Sequence, residues 1–101
     1  MAKTIVVQYR TRMEAADENQ RLVESVMADL AASDPRGLRY AALRLADGVS
    51  FIHVVMIEGA ADPLADSPAF AEFQQGISAR LDGPPEPRVA KLIGAYRFLT
   101  A

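Results

Sequence analysis

Asp47-Gly48 stands between two apolar runs, residues 38–46 and 49–58, and no other feature restricts the chain so strongly. Asp-Gly between β-forming segments is a hairpin signal, because a two-residue type I′ turn needs positive φ at both central positions. The pair predicts two antiparallel strands in the middle of the chain. Residues 4–10, Thr-Ile-Val-Val-Gln-Tyr-Arg, are rich in β-branched and aromatic side chains and lack Gly and Pro, which predicts a strand before the hairpin. Residues 89–99 predict a last strand after it.

Helical patterns fill the two gaps. Thr11-Arg12-Met13-Glu14 fits a capping box, with the Thr hydroxyl accepting from an amide three residues on. Ala15, Asn19, Leu22, Val23, Val26 and Leu30 then recur at helical spacing, and Asn19 is the one polar member of that stripe. Ser33-Asp34-Pro35-Arg36-Gly37 ends the helix. After a loop over 59–66, Ser67-Pro68 opens a second helix, with Ser as the cap and Pro where its missing N–H is not needed. Phe70, Phe73, Ile77 and Leu81 form its stripe. Gly76 inside it costs about 1 kcal/mol relative to Ala, and close packing against a strand is the expected reason. Asp82-Gly83-Pro84-Pro85 stops this helix. The order is βαββαβ over a single domain, residues 1–101. An α+β, ferredoxin-like fold follows: a four-stranded antiparallel sheet with both helices on one face.

In such a domain the second sheet face normally meets water and is polar. Here Phe51, His53, Val55 and Ile57 point one way along the third strand, and Ile52, Val54 and Met56 the other. Both faces are apolar, so the face without helices needs cover. A second copy of the chain supplies it most simply, and a homodimer joined sheet to sheet is expected. Which face carries His53 is left open by this pattern.

The charges are balanced at 11 basic and 13 acidic residues, for a net −2, which offers no field to attract nucleic acid or an anionic membrane. No apolar run approaches the ~18 residues of a membrane span. The chain has no cysteine, which removes disulfides, thiolate metal sites and cysteine nucleophiles. The opening residues show no secretion signal, and a cytoplasmic location is expected.

Strand one running into a polar-capped helix (residues 6–14), Asp47-Gly48 with Phe51 just after it, and Ser67-Pro68-Ala69-Phe70 opening the second helix occur together in order and spacing. In these features the chain resembles the dimeric α/β barrel superfamily, in its antibiotic-biosynthesis-monooxygenase-like branch. The resemblance spans nearly the whole chain. It implies a dimeric barrel and one of several activities, among them cofactor-independent oxygenation of quinol-like aromatics and haem degradation. Haem-degrading relatives carry a Trp near the end of the third strand and a ligating His on the second helix. This chain has no Trp, Ile57 falls about where it would lie, and residues 73–77 contain no His. No haem and no other cofactor is expected.

His53 is the only histidine. It is either a hydrogen-bonded structural residue or a proton acceptor for a phenolic substrate, since imidazole titrates near neutrality. Phe51, Val55 and Ile57 share its strand face and are the expected walls of any pocket. Gln8 and Arg44 are polar positions inside apolar strands and could hold a developing oxyanion. Tyr9, Tyr40 and Tyr96 read as core or interface residues with tethered hydroxyls. Arg97 reads as solvated, and Asp62 and Asp66 as turn and cap residues. No cluster has the spacing of a metal site. A basic-aromatic third strand of the RNA-recognition type is missing from residues 49–54. An amino-acid-binding regulatory domain would carry a Gly in the loop after the first strand, and residues 10–13 have none. Two functions remain: a cofactor-independent monooxygenase acting on a quinol-like or other aromatic small molecule, and a non-catalytic ligand-binding or assembly protein on the same scaffold.

Overall fold

In the computed structural model, which describes residues 2–98, the sheet has the order β2-β3-β1-β4 and is antiparallel throughout. Its strands are β1 (Ala2–Arg10), β2 (Leu38–Arg44), β3 (Ser50–Glu58) and β4 (Glu86–Ala90). Helix α1 (Ala16–Ser33) joins β1 to β2, and α2 (Pro68–Gln75) with α3 (Ile77–Arg80) joins β3 to β4. This is the expected α+β ferredoxin-like arrangement. Tyr9, Val23, Val26, Phe51 and Phe73 form the buried centre, so the core lies between the sheet and the helices. No helix among the described residues is long and apolar enough to cross a membrane.

The register settles the two faces. Tyr9 pairs with Phe51, Val7 and Ala42 with His53, and Tyr40 with Val55, which puts all of these on the helix side. Val6, Ala41, Ile52, Val54 and Met56 alternate onto the other face, with Gln8, Arg39 and Arg88 among them. The face free of helices is therefore largely apolar. Leu92, Ala95 and Phe98 lie over part of it. Ile93 and Tyr96 in the same segment are 94% and 79% exposed.

Four local expectations change. The last strand ends at Ala90 and begins at Glu86, instead of covering 89–99; Leu99 lies outside the described residues. The pairing of β4 with β1 ends at Thr4–Ala90, although Lys3 and Ala2 of β1 go on pairing with β3. Pro87 is tolerated because β4 is an edge strand. The hairpin is at Asp47-Gly48, but its turn is longer than two residues. Gly48 N–H donates to Leu45 C=O at 3.0 Å, Leu45 N–H to Ser50 C=O at 2.9 Å, and of the central pair only Gly48 has positive φ, 81°. The Asp47 carboxylate holds the loop by accepting from Val49 N–H at 3.0 Å, Ser50 N–H at 2.8 Å and Ser50 Oγ–H at 2.6 Å, which pulls its pKa down to about 2.

Thr11 does not cap the first helix. Its backbone bridges Leu81 and donates to Val49 C=O at 2.8 Å, so the chain is still strand-like there. A short 3-10 turn, Met13–Ala15, enters α1 without a side-chain cap. The second helix does start as expected, with Ser67 Oγ accepting from Phe70 N–H at 3.1 Å. The same hydroxyl donates to Asp29 Oδ2 at 2.5 Å and ties α2 to α1. The helix breaks at Gly76, whose missing side chain faces an arginine and not a strand: an added Cβ would stand 3.1 Å from Arg80 NH1.

Gly37 has φ +76°, and a Cβ there would meet Glu58 O at 2.9 Å, beside the Glu58 N–H to Gly37 C=O bond that closes the outer end of the β2–β3 ladder. Gly37→Ala is expected to cost about 2 kcal/mol in urea denaturation. Gly94→Ala, with no atom near its added Cβ, should change stability by less than about 0.5 kcal/mol.

Candidate functional site

β3 is the central partner of β1 and β2, and His53 occupies its middle on the helix side. Its direct cross-strand neighbours, Val7 and Ala42, are small. Tyr9 and Tyr40 sit two residues away on the flanking strands, the diagonal positions from which long side chains reach across. Their hydroxyls close on the imidazole from both sides. Tyr9 Oη is 2.8 Å from His53 Nε2 and Tyr40 Oη is 2.7 Å from His53 Nδ1. Behind Tyr9, Asn19 of α1 donates its Nδ2–H to Tyr9 Oη at 2.9 Å. Arg80 of α3 donates Nε–H to Asn19 Oδ1 at 3.0 Å and an NH2 hydrogen to Phe73 C=O at 2.7 Å. Its guanidinium lies over the Phe73 ring at 5.2 Å. Five side chains thus form one chain of hydrogen bonds, and among the described residues no buried side-chain polar atom lacks a partner.

These hydrogen bonds run beside a cavity of about 250 Å³ between the sheet and helices α2 and α3. Val7, Val55, Phe70, Phe73 and Ile77 make its apolar wall, and Tyr9, Tyr40, His53 and Gln74 its polar one. His53 is 4% exposed, and burial pushes its pKa down to about 4, so the imidazole is neutral at physiological pH. Burial also pushes the Tyr9 hydroxyl up to about 12, against the opposing effects of the Asn19 hydrogen bond and the Arg80 charge. The Tyr40 hydroxyl is raised further, by burial first and by Tyr9 second. At rest the site therefore presents neutral hydrogen-bonding groups to an apolar space.

Of the residues singled out in the sequence, His53 and Val55 line this cavity. Phe51 lies under it, buried and stacked on Tyr9 with ring centroids 5.5 Å apart. Ile57 shares the face but lies two residues beyond Val55, outside the cavity wall. Gln8 is exposed on the opposite sheet face. Arg44 sits at the hairpin mouth, where it donates to Gly48 C=O at 2.8 and 2.9 Å, to Asp17 at 3.1 Å and to Gln20 at 2.7 Å. The structure does not bring Gln8 or Arg44 to His53. Asp62 caps the short turn Pro63–Asp66, accepting from Leu64 N–H at 3.0 Å. Among the described residues no group of three or more His, Asp or Glu stands close enough to hold a metal ion.

Asn19, Arg80 and the two tyrosine hydroxyls are the parts of the site that sequence reasoning did not assemble. Asn19 carried a signal, as the polar entry on an apolar stripe. Arg80 lies three residues beyond Ile77 on the buried side of α3, but the break at Gly76 interrupts the period that would have flagged it.

The depressed His53 pKa has a consequence for stability. The unfolded histidine binds its proton near pH 6.5 and the folded one near 4. Stability is therefore complete above about 6.5 and falls as the pH is lowered through this window, because the unfolded state gains the proton first. Urea denaturation should show a loss of roughly 2 kcal/mol between pH 7 and pH 5, before most carboxylates titrate. His53→Gln should flatten this interval, and an equally steep wild type and variant would contradict a neutral buried imidazole.

No protein-family model matches the sequence, and no curated protein matches it. Solved structures do share its fold. The Mycobacterium tuberculosis protein Rv0793 superposes with a TM-score of 0.75 at 17% identity, covering 94% of this chain and 98% of its own. A Nitrosomonas europaea protein, provisionally named an antibiotic biosynthesis monooxygenase, superposes at 0.73 with 12% identity over 99% of this chain and 94% of its own. SnoaB, a cofactor-independent oxygenase from Streptomyces nogalater, superposes at 0.63 with 17% identity over 95% and 97%. Together with the strand order and the two helical crossovers, these similarities show that the chain shares the α+β ferredoxin-like fold of these three proteins.

Proposed function

We propose that this protein takes a flat, mostly apolar aromatic molecule bearing a ring oxygen into the cavity beside His53 and oxygenates it without a cofactor. The observation that carries this reading is the cavity itself: an apolar wall of Val7, Val55, Phe70, Phe73 and Ile77 opposite a buried imidazole–phenol pair. An aromatic ring fills the first and its oxygen meets the second. The shared fold with a cofactor-independent oxygenase supports the reaction class.

The chemistry needs little from the protein. A quinol- or anthrone-type ring that loses its phenolic proton becomes electron-rich enough to reduce dioxygen directly. For an anthrone, one oxygen atom joins the ring CH₂ carbon, which becomes C=O, and the other oxygen leaves as water with the two hydrogens of that CH₂. The protein's contribution is to hold the ring and stabilise the aromatic anion. His53 serves as a neutral hydrogen-bond partner behind the Tyr40 hydroxyl in this reading, since a residue with a pKa near 4 is a weak free-standing base. The phenolic proton leaves to water as the anion forms. Gln8 and Arg44 have no part in this version of the site, and Val55 contributes shape. The complete satisfaction of the buried polar atoms favours the second reading, binding without turnover on the same scaffold.

Aerobic turnover of anthrone-type phenols separates the two. Tyr40→Phe should reduce the rate roughly a hundredfold, the usual cost of one oxyanion donor, and His53→Ala should do at least as much, with folding of each variant checked by circular dichroism. Equal rates in wild type and variants would remove both residues from the reaction. Saturable binding with no turnover by the wild type would establish the non-catalytic reading.

The same proposal extends to assembly. Val6, Ala41, Ile52, Val54 and Met56 form an apolar sheet face that the helices do not cover, and a second copy joined through it hides them. Sedimentation equilibrium at low micromolar concentration should give twice the chain mass of 10.9 kDa. Val54→Asp should halve it, and a well-folded wild-type monomer would rule the dimer out.

A further inference from the structure

From the fixed polarity of the buried hydrogen-bond chain we infer that Arg80 and Asn19 set the tautomer of His53, so that the cavity receives a hydrogen-bond donor from Tyr40 and selects ligands with an acceptor oxygen. The ligand part of this inference rests on the cavity being the binding site; the tautomer part does not.

The argument starts at the charged end. A guanidinium can only donate. Arg80 Nε–H therefore needs the oxygen of the Asn19 amide, at 3.0 Å, and the amide has no freedom to flip. Its nitrogen must face Tyr9 Oη, at 2.9 Å, as donor. Tyr9 has accepted one hydrogen bond and still carries its own hydrogen. It is 4% exposed, and the acceptor within reach is His53 Nε2, at 2.8 Å. Nε2 must then hold the lone pair. A neutral imidazole with a bare Nε2 carries its proton on Nδ1, which donates to Tyr40 Oη at 2.7 Å.

The opposite arrangement, with the proton on Nε2, would make Tyr9 Oη accept twice and leave its hydrogen with no acceptor among the described residues, facing only the largely apolar cavity. Such an orphan donor disfavours that state on the order of tenfold to a hundredfold. The preferred Nδ1–H form is the one that free histidine disfavours, so its presence would report the protein's control. Tyr40 stands last in the chain. Its oxygen accepts from His53, and its own hydrogen has no other partner among the described residues. Tyr40 lines the cavity, so that hydrogen is free for a ligand. A carbonyl or aryloxide oxygen satisfies it. The positive charge at the far end polarises each bond toward the cavity, which strengthens this last donor.

Gly76 belongs to the same device. A Cβ at this position would press on Arg80 NH1 at 3.1 Å, so the glycine that breaks the helix also leaves room for the guanidinium. Arg80 and Asn19 are positioning residues here, since both act through Tyr9 and His53.

His53 is the only histidine, so its ring nitrogens can be read without assignment ambiguity. Long-range ¹H–¹⁵N correlation on uniformly labelled full-length protein at pH 7 should show a protonated, pyrrole-type Nδ1 and a pyridine-type Nε2. Asn19→Asp replaces the donor by an acceptor that Arg80 can still hold. Tyr9 should then donate to the carboxylate and accept from Nε2–H, and the two shifts should exchange. A wild-type proton on Nε2, or no exchange in a folded Asn19→Asp, would overturn the tautomer assignment. The ligand part is tested with an isosteric pair, 1-tetralone and tetralin. The preference for the ketone over the hydrocarbon should fall roughly three- to tenfold in Tyr40→Phe. An unchanged preference, or binding of neither probe, would overturn the acceptor rule while leaving the tautomer result standing.

Discussion

An imidazole buried at the centre of a sheet must find a partner for each ring nitrogen, and this need organises the interior of the protein. The partners come from the two neighbouring strands, at the diagonal positions where a tyrosine can reach. Each tyrosine hydroxyl then has needs of its own. Tyr9 meets them through Asn19, and Asn19 through Arg80, so one residue on β3 dictates polar side chains on α1 and α3. A partly satisfied network of this kind is worse than an apolar core, which is why its members cannot be exchanged one at a time. Asn19 is fully buried because only there can it face both Tyr9 and Arg80.

Arg80 is the least usual member. It is buried and makes no ion pair among the described residues, and its charge is held by the Asn19 and Phe73 carbonyl oxygens and the face of the Phe73 ring. Neutral acceptors leave the positive field uncancelled, so it acts along the hydrogen-bond chain. An ion pair in the same place would have absorbed it. The two ends of the site are thus different in kind: a guanidinium cation at one end, a phenol hydrogen facing an apolar cavity at the other. The aromatic wall that Phe70 and Phe73 form keeps the dielectric low, and the same low dielectric holds His53 neutral.

Much of this was legible in the sequence, and the rest had definite reasons to be hidden. Asp47-Gly48 marked the hairpin because its neighbours were apolar on both sides, although the Asp47 carboxylate opens the turn by capping the amides that follow. Ser67-Pro68 marked a helix start because both residues satisfy a local need. Thr11 failed as a cap because its backbone is taken by a bridge to Leu81, a residue 70 positions away that no local pattern reports. Residues 91–98 read as strand because they are largely apolar, yet β4 ends at Ala90, and Leu92, Ala95 and Phe98 lie over the other sheet face instead. For the site, His53 stood out as a lone histidine, and Val55 followed it by alternation. Gln8 and Arg44 were expected there as polar residues in apolar strands, and the register assigns Gln8 to the other face and Arg44 to the hairpin mouth.

By itself the sequence determined the order of elements, the fold class and the excess of apolar surface on the sheet, since each depends on local spacing and on the two-residue period of a strand. It could not decide which face of β3 met the helices, because Phe51, His53, Val55 and Ile57 alternate with the equally apolar Ile52, Val54 and Met56. Only the tertiary structure made that choice, and with it the site. The five residues from Arg80 to Tyr40 are scattered over two helices and three strands, and directional hydrogen bonds between them exist only once packing brings donor to acceptor within about 3 Å.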